Sequence, residues 1–137
     1  MNARMSSAEA EPAAVARELL EAFSAADFDR MRAVLAPDLL AFVTNEEGEA
    51  DEVRGREQYL GRIEAMDLPA VRFSVELTQA PVVIDEGVVL VMVEVRAHKG
   101  ERRLHNYAAH LLRTAGGVIT EWRMVEAKPA ESDAFWS

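Results

Sequence analysis

Residues 88–127 read VVLVMVEVRAHKGERRLHNYAAHLLRTAGGVITEWRMVEA, and this stretch decides the fold. Turn residues divide it at Lys99-Gly100 and again at Ala115-Gly116-Gly117. The three runs they leave, Val88 to Arg96, Leu104 to Arg113 and Val118 to Ala127, are rich in Val, Leu and aromatic residues and close enough together to pair as hairpins. Upstream, Val71, Phe73, Val75 and Leu77 alternate with Arg72, Ser74, Glu76 and Thr78, the period of a half-buried strand, and Asp85-Glu86-Gly87 supplies a turn before Val88. The prediction is a meander of four long antiparallel strands.

Toward the N terminus the texture becomes helical. Residues 1–11 are small and polar without apolar period, which predicts a disordered segment ahead of a single domain over 12–137, with Pro12 in the first helical turn. Val15, Leu19, Leu20 and Phe23 then recur at helical spacing until about Ser24 to Ala26. Asp27 caps a second helix carrying Phe28, Met31, Val34 and Leu35, and Pro37 blocks its continuation. Leu39 to Val43 reads as a strand, Asn45 to Gly48 as a turn, and Gly55 to Met66 as a third helix with Tyr59, Leu60, Ile63 and Met66 on one side. Helices first and long strands last predict an α+β domain, its helices covering one face of a strongly curved sheet.

Composition narrows the function. Fifteen Lys and Arg against 24 Asp and Glu give a net charge of −9, which disfavours nucleic acid. With no Cys and three His, the chain lacks thiolate chemistry and the makings of a His-rich metal cage, so neither a metal nor an organic cofactor is expected. No apolar run approaches the roughly 20 residues of a membrane helix, and the first residues lack the apolar block of a secretory signal, so a cytoplasmic protein without a membrane partner is expected.

Four stretches carry a resemblance: the helix pair RELLEAFSAADFDRMRAVLAPDLL, the opening GREQ of the third helix at 55–58, the strand VELTQ at 75–79 and the ending GGVITEWRMVEA. From about residue 13 onward the chain resembles the nuclear transport factor 2-like superfamily, which includes ketosteroid isomerases and SnoaL-like polyketide cyclases. The resemblance implies a cone-shaped α+β barrel with three N-terminal helices packed on a curved mixed or antiparallel sheet around an apolar pocket. The isomerases use an Asp base with a Tyr and a protonated Asp as oxyanion hole. The matching positions here are Val43 for the base, Ala109 for the buried acid and Leu19 for the tyrosine, with Ile63 replacing a supporting tyrosine. None of these can move a proton, so steroid isomerisation by that route is not expected.

Hairpin register supplies a different candidate site. With Lys99-Gly100 as a two-residue turn, Glu94 lies opposite His105 and Met92 opposite Tyr107; with Gly116-Gly117, Tyr107 lies opposite Glu126, Ala109 opposite Met124 and Leu111 opposite Trp122. All share one face, which the resemblance directs at the pocket. His105, Tyr107, Glu94 and Glu126 are therefore the candidate catalytic residues, able to exchange a proton near neutral pH and to hold a developing oxyanion. Leu19, Val43, Ile63, Leu90, Met92, Ala109, Trp122 and Met124 are the candidate ligand-binding residues. A bulge in either hairpin would shift the register by one residue and send its residues to the opposite face.

The other face of the first hairpin strand, with Val89, Val91, Val93 and Val95, is more apolar than the pocket face so assigned. The resemblance accommodates this through a homodimer packed on Val91, Val93 and Val95, which would place His110 at the interface near Arg123. The acidic run Glu46, Glu47, Glu49, Asp51 and Glu52 reads as a solvated loop, and Asp133 as the start of a helical turn docking Phe135 and Trp136. Together these features describe a pocket protein for a small, largely apolar cyclic or polyketide-like molecule. It would act as a cofactor-independent isomerase, cyclase or dehydratase or, alternatively, as a non-catalytic ligand-binding or dimerisation module.

Overall fold

The computed structural model describes residues 2–137, with side chains from residue 11 onward. Helix α1 (Asn2–Ser24) is followed by α2 (Phe28–Ala33), strands β1 (Leu35–Thr44) and β2 (Ala50–Arg54), α3 (Arg56–Glu64) and a 3₁₀ turn at Leu68–Val71. Then come β3 (Ser74–Leu77), β4 (Val82–Asp85), β5 (Val88–Lys99), β6 (Arg102–Ala115), β7 (Val118–Glu126) and α4 (Pro129–Trp136). Pro12, expected in the first helical turn, stands inside α1 instead, because the Ala-, Glu- and Met-rich segment before it continues the helix back to Asn2. The side chains of residues 1–10 lie outside the described residues. Asp27 caps α2 as expected, its carboxylate accepting from the Arg30 N–H at 3.2 Å.

Seven strands form one mixed sheet in the order β2-β1-β7-β6-β5-β3, with β4 also pairing β5. β1 runs parallel to β7 and every other pairing is antiparallel. The sheet does not close, so the cone is an open one rather than a barrel. Two short strands escape the sequence pattern. β2 overlaps the end of the acidic run, where an exposed edge tolerates charge, and β4 is an edge strand of four residues, with Val82 and Ile84 exposed.

Side-chain facing is set by two local details. Lys99 pairs with Arg102, so the first hairpin turns on Gly100 and Glu101, two residues out from the expected register but with the same faces. The second hairpin changes face. Ala115 pairs with Val118 and Thr114 with Ile119, but Arg113 pairs with Glu121, leaving Thr120 as an extra residue in β7. The Thr120 hydroxyl donates to the Arg113 carbonyl at 3.3 Å. Beside this bulge the β4–β5 turn is seated on β6, where the Gly87 carbonyl accepts from both the Thr114 N–H at 2.7 Å and the Thr114 hydroxyl at 3.1 Å. A Cβ on Gly87, whose φ is +71°, would stand 2.7 Å from the Thr114 carbonyl oxygen, so only glycine permits this approach.

Because of the bulge, Ile119 and Trp122 are both fully buried although three residues apart. They join Val89, Val91, Val93 and Leu112 under Leu19, Leu20 and Met31 from α1 and α2. The valine face is therefore the core face, covered by the chain's own helices. This corrects the expectation that Val91, Val93 and Val95 meet a partner subunit: Val91 and Val93 are buried, and Val95 is partly buried against the same core. Burying so continuous an aliphatic row, at roughly 1.5–3 kcal/mol per large side chain, outweighs placing Glu94 and Arg96 inside.

Deletion of Thr120 would return Trp122, Met124 and Glu126 to the outer face. Such a chain is expected to lose its cooperative urea transition, whereas Thr120→Ala, which keeps the residue count, is expected to cost no more than about 1 kcal/mol. A cooperatively folded deletion variant of near-normal stability would show that the bulge does not set the facing.

Candidate functional site

Between the inner sheet face and the helices lies a cavity of about 590 Å³. Phe23, Ile63, Phe73, Val95, Ala108 and Met124 supply apolar wall, and Trp136 of α4 closes one side. Asn106 holds α4 in place: its Oδ1 accepts from the Lys128 N–H at 3.0 Å and its Nδ2 donates to the Lys128 carbonyl at 3.2 Å. Phe135 sits in a separate cluster with Val71, Ala97 and Leu104. The tail docks through both aromatics as expected, in a helix that starts at Pro129 rather than Asp133.

Trp122 is the platform of the polar end. The Tyr59 ring packs edge-on against it at 4.8 Å, and the Trp122 indole N–H donates to His110 Nδ1 at 2.7 Å. A histidine that accepts at Nδ1 carries its hydrogen on Nε2 when neutral. Burial pushes the His110 pKa down to about 4, so the ring is neutral at physiological pH. The Tyr59 hydroxyl is pushed above its ordinary value, chiefly by burial and slightly by Glu126, and stays a phenol.

Neither the Tyr59 hydroxyl nor His110 Nε2 has a hydrogen-bond partner among the described residues, although each residue is only 4 % exposed. No sealed polar side-chain atom among the described residues lacks a partner. Both groups therefore meet open space, and both residues line the cavity. The third polar member is Glu126, which accepts from the Ser132 hydroxyl at 2.9 Å; its pKa is raised because burial outweighs that bond. Two neutral donors and a carboxyl of raised basicity thus face one largely apolar cavity.

Of the residues expected at the site, Val43, Ile63, Met124 and Glu126 line the cavity. Leu19 and Trp122 are buried core behind it. Glu94, His105, Tyr107, Leu90, Met92 and Ala109 are corrections, since all stand on the outer face of the sheet, opposite to Val89, Val91, Ala108 and His110. The first three do come together: His105 Nε2 and Glu94 are 2.5 Å apart, the Tyr107 hydroxyl donates to Glu94 at 3.5 Å, and Arg96 pairs with Glu94 at 2.7 Å. His105 and Arg96 hold the Glu94 carboxyl below its ordinary value. Tyr107 is 42 % exposed, and the cluster is a surface ion-pair network without a cavity. Ala109 also faces outward, so it cannot stand in for a buried acid.

Tyr59 and His110 were the residues missed. The signal was present in the valine row, because His110 pairs with Val91 and shares its facing; once the more apolar face is taken as the core, His110 goes inside with it. Among the described residues no group of three or more His, Asp or Glu side chains could hold a metal ion. No described helix is long and apolar enough to cross a membrane.

This geometry agrees with the comparisons to known proteins. A family model for the SnoaL-like domain matches residues 16–122, and the chain belongs to that family. Among solved structures the fold is similar to that of Bal32a from a soil-derived mobile gene cassette, at 18% identity over 94% of this chain and 98% of that one, with a TM-score of 0.82. It is also similar to an LEH-like epoxide hydrolase of M. tuberculosis, at 23% identity over 90% and 87% of the two chains and a TM-score of 0.72. A protein described as a SnoaL-like polyketide cyclase from Jannaschia sp. CCS1 matches at 17% identity over 95% and 94%, with a TM-score of 0.75. No curated protein matches the sequence.

Two measurements test the site as built. Tyr59→Phe removes a hydroxyl that has no partner, so the urea midpoint should move by no more than the equivalent of about 0.5 kcal/mol; a loss above 2 kcal/mol would mean the hydroxyl is bonded in the protein. His110 gives a pH dependence of known sign. Its folded pKa lies below the unfolded value of 6.5, so the unfolded chain takes up the proton first and stability falls as pH drops from about 6.5 toward 4. Between pH 7 and pH 5 the loss should be about 2 kcal/mol. Glu126, with its raised value, acts in the opposite sense, so the difference between the wild type and His110→Gln isolates the histidine. Equal pH slopes in the two proteins would contradict a neutral buried His110.

Proposed function

We propose that this protein binds a small, largely apolar organic molecule in the cavity and carries out cofactor-independent proton transfer on it, in the isomerase, cyclase or dehydratase class. The observation that carries the reading is the pair of buried donors, Tyr59 and His110, left without protein partners on a rigid Trp122 platform. Carbonyl or ether oxygens of the ligand would accept from these donors. Donors fixed in a water-poor site stabilise a developing oxyanion more than the same groups do in water. Glu126, made more basic by burial, would remove a proton from the adjacent carbon and return it elsewhere, and the Ser132 hydroxyl keeps its carboxyl oriented.

This assignment moves the proposed chemistry from the outer face to the inner one while keeping Glu126. It differs from the isomerase arrangement, because the position matched to the isomerase base is Val43 and the polar groups come from α3, β6 and β7. That substitution also favours a second reading, in which the same pocket only binds its ligand. The two similar structures described as an epoxide hydrolase and a polyketide cyclase are consistent with oxygen-bearing organic ligands in folds of this kind.

Native mass spectrometry of gently purified protein tests the pocket. We expect a retained species of a few hundred daltons, about the size such cavities admit, which is lost in Met124→Trp, where the indole fills the space. With the retained molecule identified, Glu126→Gln should abolish its turnover while leaving its binding within a few-fold. Retention unaffected by Met124→Trp would place the molecule elsewhere, and turnover unaffected by Glu126→Gln would reduce the protein to a binder.

A further inference from the structure

The mouth of the cavity has a chemistry of its own. The β1–β2 loop contributes Glu46 and Glu47, β2 contributes Asp51, and α4 contributes Asp133; Arg62 of α3 is the only cationic side chain among the lining residues. No ion pair among the described residues neutralises Glu46, Glu47 or Asp133. Glu46 and Asp133 come from elements distant in sequence to line the same cavity, and Asp133 is the main reason the Glu46 carboxyl is held above its ordinary value. Folding has thus placed like charges together at the entrance of an apolar cavity. A solvated loop of this composition would be free to spread them apart.

The second observation is independent of the first. Deeper in the same cavity, Tyr59 and His110 are residues nine-tenths buried whose hydroxyl and Nε2 have no protein partner among the described residues and meet the open space, as donors to a ligand would. Aromatic faces lie between the two ends: Phe23 stacks on Phe73 at 5.0 Å, and Phe73 meets Trp136 at 6.4 Å. Such rings accept an alkyl or aryl body and also attract a cation over their faces. The carboxylates do not converge as metal ligands do, since no group of three among the described residues could hold an ion. A spread of acceptors around an aromatic-walled mouth suits an organic ammonium group instead.

Resting on the pocket reading above, we infer that the ligand is an apolar organic amine, bound with its ammonium group among Glu46, Asp51 and Asp133 at the mouth and its apolar body inside. Its own oxygen or π-system would reach Tyr59 and His110. The protein's charge of −9 adds a long-range field of the same preference, drawing cations toward the entrance.

Three probes of one shape separate the possibilities by isothermal titration at pH 7.5: 2-(1-naphthyl)ethylamine, 2-(1-naphthyl)ethanol and 1-naphthylacetate. The amine should bind at least tenfold more tightly than the alcohol, with the acetate weakest. In the double variant Glu46→Gln/Asp133→Asn, both positions being exposed, the amine should fall to the level of the alcohol while the alcohol itself stays within twofold. Alcohol binding equal to or tighter than the amine in the wild type overturns the inference alone, as does an amine preference that survives the double variant. Preference for the acetate would assign the mouth to Arg62 and overturn it likewise. Binding of none of the three, or alcohol binding unaffected by Met124→Trp, overturns the pocket reading itself and the inference with it.

Discussion

One extra residue in a strand governs this molecule. Thr120 separates two stretches of β7 that would otherwise share a single alternation, so that Ile119 and Trp122 can both enter the core. Without it, either the start or the end of the strand would present its apolar residues to water. A bulge costs a ladder hydrogen bond and a local kink, but here the hydroxyl of the extra residue returns one bond to the Arg113 carbonyl. Three features of the cavity follow from that step. Trp122 reaches His110, Met124 becomes wall, and Glu126 comes within reach of Ser132.

The site is correspondingly economical in elements. Tyr59 arrives from a short helix that starts after a glycine cap, His110 from the middle of the longest strand, and Glu126 from the last residue of β7. None of the three depends on a loop for its position. The loop between β1 and β2 is itself tied: the Asn45 side chain accepts from the Glu47 and Glu49 N–H groups at 3.0 and 2.9 Å and donates to Asp51 at 3.2 Å. The acidic mouth is therefore attached to a framed turn on one side and to α4 on the other.

Much of this was legible in the amino-acid order. The caps and periodicities gave α2, α3 and strands β5, β6 and β7 to within about three residues, because those signals are local, whereas Leu35 and Pro37 fall in β1 rather than at the end of α2 and the strand expected from Val71 shortens to Ser74–Leu77 behind a 3₁₀ turn. Facing was harder, and its failure has a definite cause. A two-residue turn misplaced by one position, as at Gly100-Glu101, shifts the pairing by two residues and keeps parity, but a one-residue bulge reverses it. The clue lay in the run Ile119-Thr120-Glu121-Trp122, where two large apolar residues three apart break strict alternation. A second clue was the uninterrupted valine row, whose burial within the protomer is the simpler reading of the pattern. Tyr59 looked like core because it is core on one side; that its hydroxyl lacks a partner is a tertiary fact with no trace in spacing.

The last helix divides two tasks between its faces. Phe135 is seated in a small cluster with Val71, Ala97 and Leu104, and the connection before the helix is clamped by Asn106, whereas Ser132, Asp133 and Trp136 look toward the cavity. Attachment rests chiefly on Phe135 and the Asn106 clamp, while Trp136 serves both docking and lining. Variation at 132 and 133 can reshape the chamber's charge and proton donors while Phe135 and Trp136 keep the panel docked. Separating mount from lining in this way leaves a short mutational path by which a fixed scaffold could change the chemistry of the proposed pocket.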